Sequence, residues 1–393
     1  MAATTDLGLA ASLDRLGTET AFSVLARARE LERQGREIVH LEIGEPDFDT
    51  PAHVCEAAFE AMRSGQTHYC PSAGIAEFRD VAAALLSSTR GVPIDPDNVL
   101  VATGAKPFLF FTILAVCNPG DEVVYPDPGF PIYESAIRWI GATPVPLPLL
   151  EEREFTFRPE DLADRLGERT KLVILNSPQN PTGGVVPEGD LAEAAELIAA
   201  TPAWVLSDEV YSRMLYDGAF ASIASVPGML ERTIVLDGLS KTYAMTGWRC
   251  GYAAVPEPLV EPLVRFFVNS TSCVPPFVQE AGIAALTGPQ DAPAEMLEEF
   301  RARRDLIVSG LNELPGVSCR LPRGAFYAFP NVADVPIPAD ELASRLLEEA
   351  GVAVLAGSAF GRVGEPNLRL SYANSRENLA LALARMRAFL ETL

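Results

Sequence analysis

Between Val99 and Ala254, short apolar runs alternate with longer amphipathic stretches. The runs Val99–Thr103, Glu122–Tyr125, Thr143–Leu147, Leu172–Asn176, Trp204–Ser207, Thr233–Leu236 and Cys250–Ala254 predict seven strands. Several are apolar at almost every position, as strands covered on both faces of a mostly parallel sheet are. The stretches between them predict helices, among them Pro107–Cys117, Pro187–Ala200 and Pro256–Val268. This alternation gives an α/β class: a mostly parallel seven-stranded sheet sandwiched by helices. The order changes after residue 290. A long charged helix (Ala294–Leu314) leads into strand-like pieces at Gly316–Cys319, Gly324–Pro330, Val352–Leu355 and Leu368–Ser371. Helices at Pro338–Ala350 and Ser375–Leu393 complete an α+β unit. A helix (Phe22–Gln34) and a strand (Ile38–Ile43) near the start are expected to pack with that unit. The expected division is an N-terminal arm and part of the small domain over 1–49, a large domain over 50–290, and the small domain over 291–393.

A chain of 393 residues, 48% hydrophobic, can bury the cores of two associated domains. Its formal charge of −22 argues against nucleic acid or an anionic membrane surface as partner. His40, His53 and His68 are too scattered for a metal site or a Ser-His-Asp arrangement. The six cysteines contain no C-x-x-C and read as reduced thiols of a cytoplasmic protein. The start, Met1-Ala-Ala-Thr-Thr-Asp6, lacks the basic and apolar pattern of a signal peptide. No apolar run reaches membrane-spanning length.

The chemistry is concentrated where predicted strands end, which is where open α/β sheets collect ligands. Only three lysines occur, Lys106, Lys171 and Lys241, against a large excess of arginine. Lys241 lies in Asp237-Gly-Leu-Ser-Lys-Thr-Tyr-Ala-Met-Thr-Gly-Trp-Arg249, between two apolar strands. Arginine replaces lysine in most surface roles, but it cannot lose its proton and form a Schiff base. After Val99–Thr103 comes Gly104-Ala105-Lys106, opening a helix whose first N–H groups can approach an anion. Asn180 follows Leu172–Asn176 in a proline-bounded turn that presents an amide. Asp208 ends an apolar strand, where a carboxylate is costly without a partner; Tyr211 follows it. Arg249 would suit a phosphate. Each feature alone has an ordinary alternative, such as turn chemistry, helix capping or a solvated charge. Together they fit pyridoxal phosphate, which needs an amine for its aldehyde, a carboxylate for its ring nitrogen, donors for its phenolic oxygen and a cradle for its phosphate.

These segments resemble the class I/II, fold-type I pyridoxal-phosphate aminotransferases. The resemblance runs from Ile43-Gly-Glu-Pro-Asp-Phe48 to Leu368-Arg-Leu-Ser-Tyr-Ala373. Ser240-Lys-Thr-Tyr-Ala-Met-Thr-Gly-Trp-Arg249 is its most specific part, supported by Asn180-Pro-Thr-Gly183 and Asp208-Glu-Val-Tyr211 in that order. The resemblance implies that Lys241 forms the aldimine with the cofactor and later carries a proton. It implies that Asp208 pairs with the ring nitrogen, that Asn180 and Tyr211 bond the ring oxygen, and that Phe130 stacks on the ring. Gly104, Ala105, Lys106 and Arg249 would face the phosphate. Arg369 would clamp the substrate α-carboxylate, with Asn180 and Gly44 beside it. Tyr69 would reach the phosphate of a neighbouring subunit, which implies a homodimer. The activity implied is transfer of an amino group between an L-amino acid and a 2-oxo acid. A lyase or synthase acting on the same scaffold is the alternative. A non-enzymatic sensor is disfavoured, because no basic DNA-binding extension is present.

Two departures stand out. Relatives often carry a polar residue three before the lysine, where this chain has Gly238, so that contact is either missing or taken over by Ser240. Relatives acting on aspartate often carry small hydroxyl residues where this chain has Glu19 and Ala21. An acid at Glu19 would repel a dicarboxylate, whereas Lys106 could attract its distal carboxylate. The sequence leaves that conflict open.

Overall fold

The computed structural model describes residues 8–393, so the expectation about the first six residues falls outside it. After a short strand, β1 (Val39–His40), seven strands form the central sheet: β2 (Val99–Ala102), β3 (Glu122–Asp127), β4 (Thr143–Pro148), β5 (Thr170–Asn176), β6 (Trp204–Asp208), β7 (Thr233–Gly238) and β8 (Gly251–Ala254). Their order across the sheet is β2-β8-β7-β6-β5-β3-β4. All neighbours run parallel except β8, which is antiparallel to both β2 and β7.

Alternating side chains of these strands enter different cores, as a period of two requires. Leu100, Leu172, Leu206 and Ile234 pack on one face with Phe108, Ile113 and Phe267 from flanking helices. Val99, Val101 and Val235 pack on the other with Phe78 and Leu86, while Val173 and Val205 join Ala194 and Ile198. β4 alternates with Pro144, Pro146 and Pro148. Proline cannot donate to a ladder, and β4 is an edge strand, so the prolines close that edge to further pairing.

The remaining strands are short: β9 (Tyr327–Ala328), β10 (Val352–Ala353), β11 (Leu355–Ala356) and β12 (Leu368–Ser371). β1 pairs with β10, and β12 lies between β11 and β9. The expected strand Ile38–Ile43 is reduced to β1, because the chain beyond Leu41 leaves the pairing to line the central cavity. Val352–Leu355 is split in two, since its halves pair with different partners. The piece expected at Gly316–Cys319 makes only one bridge, Ser318 to Asn331. Val39 and Leu41 share a core with Phe300, Phe326, Leu370 and Phe389, and Tyr211 and Met214 from the middle of the chain enter it too.

Candidate active site

The C-terminal ends of β5, β6 and β7, the segment after Leu41 and the helix Thr20–Arg33 surround a cavity of about 900 Å³. Gly44, Ala105, Lys106, Phe130, Asn180, Asp208, Tyr211, Ser240, Lys241, Arg249 and Arg369 all line it. Gly104 stands immediately behind the lining, against the Arg249 guanidinium. Tyr69 does not enter: it is 90% exposed on the outer surface.

Lys241 follows β7 and donates to the carbonyl of Gly44. Burial, with Arg369, Lys106 and Arg249 near by, lowers its pKa to about 8 against the opposing pull of Glu45. Far more neutral amine is therefore present near neutrality than an ordinary lysine offers, which a nucleophilic amine needs. Gly44 is required by packing: a Cβ there would overlap the hydroxyl of Tyr327.

Asp208 ends β6, buried. Burial pushes its carboxyl up to about 6, while a hydrogen bond from Tyr133 pulls the other way. The Tyr133 hydroxyl donates to Asp208 Oδ2 at 2.6 Å. Asn176 Nδ2 donates to the Asp208 carbonyl at 3.0 Å, and Asn176 Oδ1 accepts from the Asn180 backbone at 3.0 Å. This fixes the turn that carries the Asn180 side chain, whose Oδ1 is buried without a partner. The hydroxyls of Tyr211 and Tyr327 are 2.6 Å apart.

Behind the strand ends, Arg90 bonds Glu209 at 2.8 Å and Asp237 at 2.9 Å, all three nearly inaccessible. Ser207 and Ser222 also donate to Glu209.

At the other end, Ala105 caps the helix Lys106–Val116 with no side-chain bond. The first N–H groups of a helix lack partners within it and favour an anion. Gly104, at φ +91°, allows the turn, and a Cβ on it would strike Arg249. A Cβ on Gly251 would press on Gly104 and Ala105. The guanidinium of Arg249 is held by the carbonyls of Thr246 (2.9 Å) and Thr103 (3.3 Å). The Lys106 ammonium turns away from this cradle and pairs with Glu19.

Arg369 on β12 is buried. It donates to the Glu42 carbonyl and lies over the Tyr327 ring, 4.8 Å from its centroid. Its Nε has no partner, and burial lowers its pKa. A buried cation with a free donor calls for an anion.

The sequence pointed to these positions but missed Tyr133, Tyr327 and Asn176. Tyr133 stands three residues after Phe130, in the first turn of the helix Ile132–Trp139. The turn in which the Tyr133 N–H donates to the Phe130 carbonyl (3.0 Å) sets the two rings edge to face, with centroids 5.8 Å apart.

The chain matches the family model for aminotransferase class I and II over residues 36–386. It is a class I and II aminotransferase. It is 41% identical to the aspartate aminotransferase of Pyrococcus abyssi, across 89% of this chain and 91% of the relative. It is 40% identical to aromatic-amino-acid aminotransferase 2 of Thermococcus litoralis, across 90% and 92%. The structure of the aspartate aminotransferase from Rhizobium meliloti superposes with a TM-score of 0.93 at 36% identity, covering 98% and 99% of the two chains. The fold is therefore fold type I, and the reaction is transamination between small amino and 2-oxo acids. The family depends on pyridoxal phosphate. Among the described residues, no cluster of His, Cys, Asp or Glu is placed to hold a metal, and no helix is long and apolar enough to cross a membrane.

Proposed function

We propose that this aminotransferase holds pyridoxal 5′-phosphate in the cavity described above and uses Lys241 and Asp208 as its catalytic pair. The carrying observation is the combination of a buried amine of lowered pKa with a buried carboxylate that has no cation bonded to it. The unpartnered Asn180 Oδ1 and the uncapped helix start at Lys106 fit the same cofactor. When bound, the cofactor supplies an electrophilic aldehyde and a ring that accepts electrons from the substrate Cα.

The residues then have distinct tasks. Lys241 would hold the cofactor through its Nζ and, once released, would take the proton from the substrate Cα and return it. Asp208, steadied by Tyr133, holds the proton on the ring nitrogen. Tyr211 and Asn180 serve the ring oxygen, and Phe130 covers a ring face. The N–H groups at Gly104, Ala105 and Lys106, with Ser240 and Arg249, hold the phosphate. Arg369, lining the same cavity as Lys241, would fix the α-carboxylate and so orient the substrate toward that amine. Gly44 and Asn180 border the substrate.

Borohydride treatment of the loaded protein followed by peptide mass analysis tests the attachment. A reduced cofactor adduct on Lys241 is expected; an unmodified Lys241 overturns the assignment.

We also propose a homodimer, in which the exposed Tyr69 reaches the phosphate site of a second copy. Exposed apolar side chains at Phe59, Met62 and Val268 support an association surface. The division into an arm over 1–49, a large domain over 50–290 and a small domain over 291–393 belongs to the same proposal, as does a cytoplasmic setting, supported by six unpaired cysteines.

A further inference from the structure

The mouth of the cavity is built differently from its floor. Glu19, at the cap of the helix Thr20–Arg33, forms an ion pair with Lys106. The same ammonium lies 5.5 Å from the Phe130 ring centroid and 5.7 Å from that of Phe22. A lysine in the first turn of a helix faces the positive end of the helix dipole and needs a compensating anion. Glu19 supplies one. Glu19 is also near enough to Arg369 and Tyr327 for its charge to act on both. The pair and Arg369 line one cavity, so the side chain of a substrate held by Arg369 shares that space with the pair.

We propose that the Glu19–Lys106 pair is a specificity determinant. It directs the enzyme to L-amino acids with uncharged side chains, aromatic ones above all, and against dicarboxylic amino acids. This deepens the proposed function and rests on Arg369 holding the α-carboxylate. A distal carboxylate that approaches Lys106 either displaces Glu19 or stands beside it, and two neighbouring carboxylates repel. Arg29 also lines the cavity, but it is exposed, and water weakens its pull on an anion. An uncharged side chain leaves the pair intact. It packs on Leu25, Phe130 and Phe22, a residue that is 58% exposed.

The test compares the holoenzyme with Glu19→Gln and Glu19→Gln/Lys106→Met. Calorimetry gives the dissociation constants of succinate and 3-phenylpropionate, acids that lack the reacting amine. The unaltered enzyme is expected to bind 3-phenylpropionate at least about tenfold more tightly, and Glu19→Gln to move the ratio toward succinate by at least about tenfold. Adding Lys106→Met should reverse that shift. Equal affinities in the unaltered enzyme, or an unmoved ratio in Glu19→Gln, overturn the proposal. Phenylalanine that fails to change the absorbance of a protein carrying its cofactor overturns this inference alone; a purified protein that takes up no cofactor overturns the cofactor assignment, and this inference with it.

Discussion

Tyr133 donates a 2.6 Å hydrogen bond to Asp208 Oδ2, and both groups are buried. The bond favours the ionised carboxylate, so Tyr133→Phe should raise the proton affinity of Asp208 and weaken its hold on a protonated ring nitrogen. Charge-assisted bonds of this kind contribute about 1.5–3 kcal/mol. Cofactor affinity of the apoprotein, measured by equilibrium titration, should fall by about tenfold or more. An unchanged affinity would remove Tyr133 from the site.

Two pH dependences follow from burial. The pKa of Lys241 is lowered to about 8, so the rate at which apoprotein condenses with added aldehyde should climb with pH and level off above that value. The pKa of Asp208 is raised from 3.8 to about 6. Between these values the folded apoprotein binds more protons than the unfolded chain. The contribution of Asp208 to stability is thus complete below pH 3.8 and is lost as pH rises through 6. Asp208→Asn should remove that part of the slope, on the order of 3 kcal/mol, in denaturant titrations of apoprotein across the interval.

Arg369 has a geometric task that lysine cannot repeat. Arg369→Lys keeps the charge but loses the planar fork that can grip a carboxylate at two points. The KM for amino acids should rise by about a hundredfold while the cofactor absorbance of the resting enzyme stays in place. A KM within twofold of the unaltered value would argue that the α-carboxylate is held elsewhere.

The clash between a Cβ at Gly44 and Tyr327 gives a paired test. Gly44→Ala should lower turnover sharply, because the Tyr327 hydroxyl and ring edge must move. Tyr327→Phe removes the nearest atom, so the double variant should recover part of the loss. Additive losses would show that the two residues do not press on one another.

Arg90 separates two buried carboxylates, Glu209 and Asp237. Arg90→Met leaves both uncompensated and should cost about 3–5 kcal/mol in unfolding experiments. The triple variant with Glu209→Gln and Asp237→Asn should recover much of it. Failure to recover would mean that the shape of the guanidinium, more than its charge, holds that corner together.

The seven sheet strands were legible because all but the edge strand Thr143–Pro148 are largely buried apolar runs, and their observed ends differ from expectation by at most two residues. The strand Leu368–Ser371 carrying Arg369 appears with the expected bounds. Local pattern failed where partners are distant. Tyr133 finds its acceptor 75 residues away, and Tyr211 meets Tyr327 across 116. Neither Tyr133 nor Tyr327 carries a local mark that separates it from an ordinary core aromatic. The Glu19–Lys106 conflict could not be settled from sequence for the same reason: two opposite charges 87 residues apart do not reveal that they neutralise one another.

The last strand of the sheet to be made, Gly251–Ala254, is not an edge; it slots between Val99–Ala102 and Thr233–Gly238. During synthesis those two earlier strands wait with unpaired rims until it emerges from the ribosome. The meeting of Arg249 with Gly104 comes at that same moment, so the nascent polypeptide has no finished phosphate cradle to offer beforehand. A chain cut short of residue 249 should therefore expose unpaired strand rims and aggregate, and on the proposed reading it should bind no cofactor.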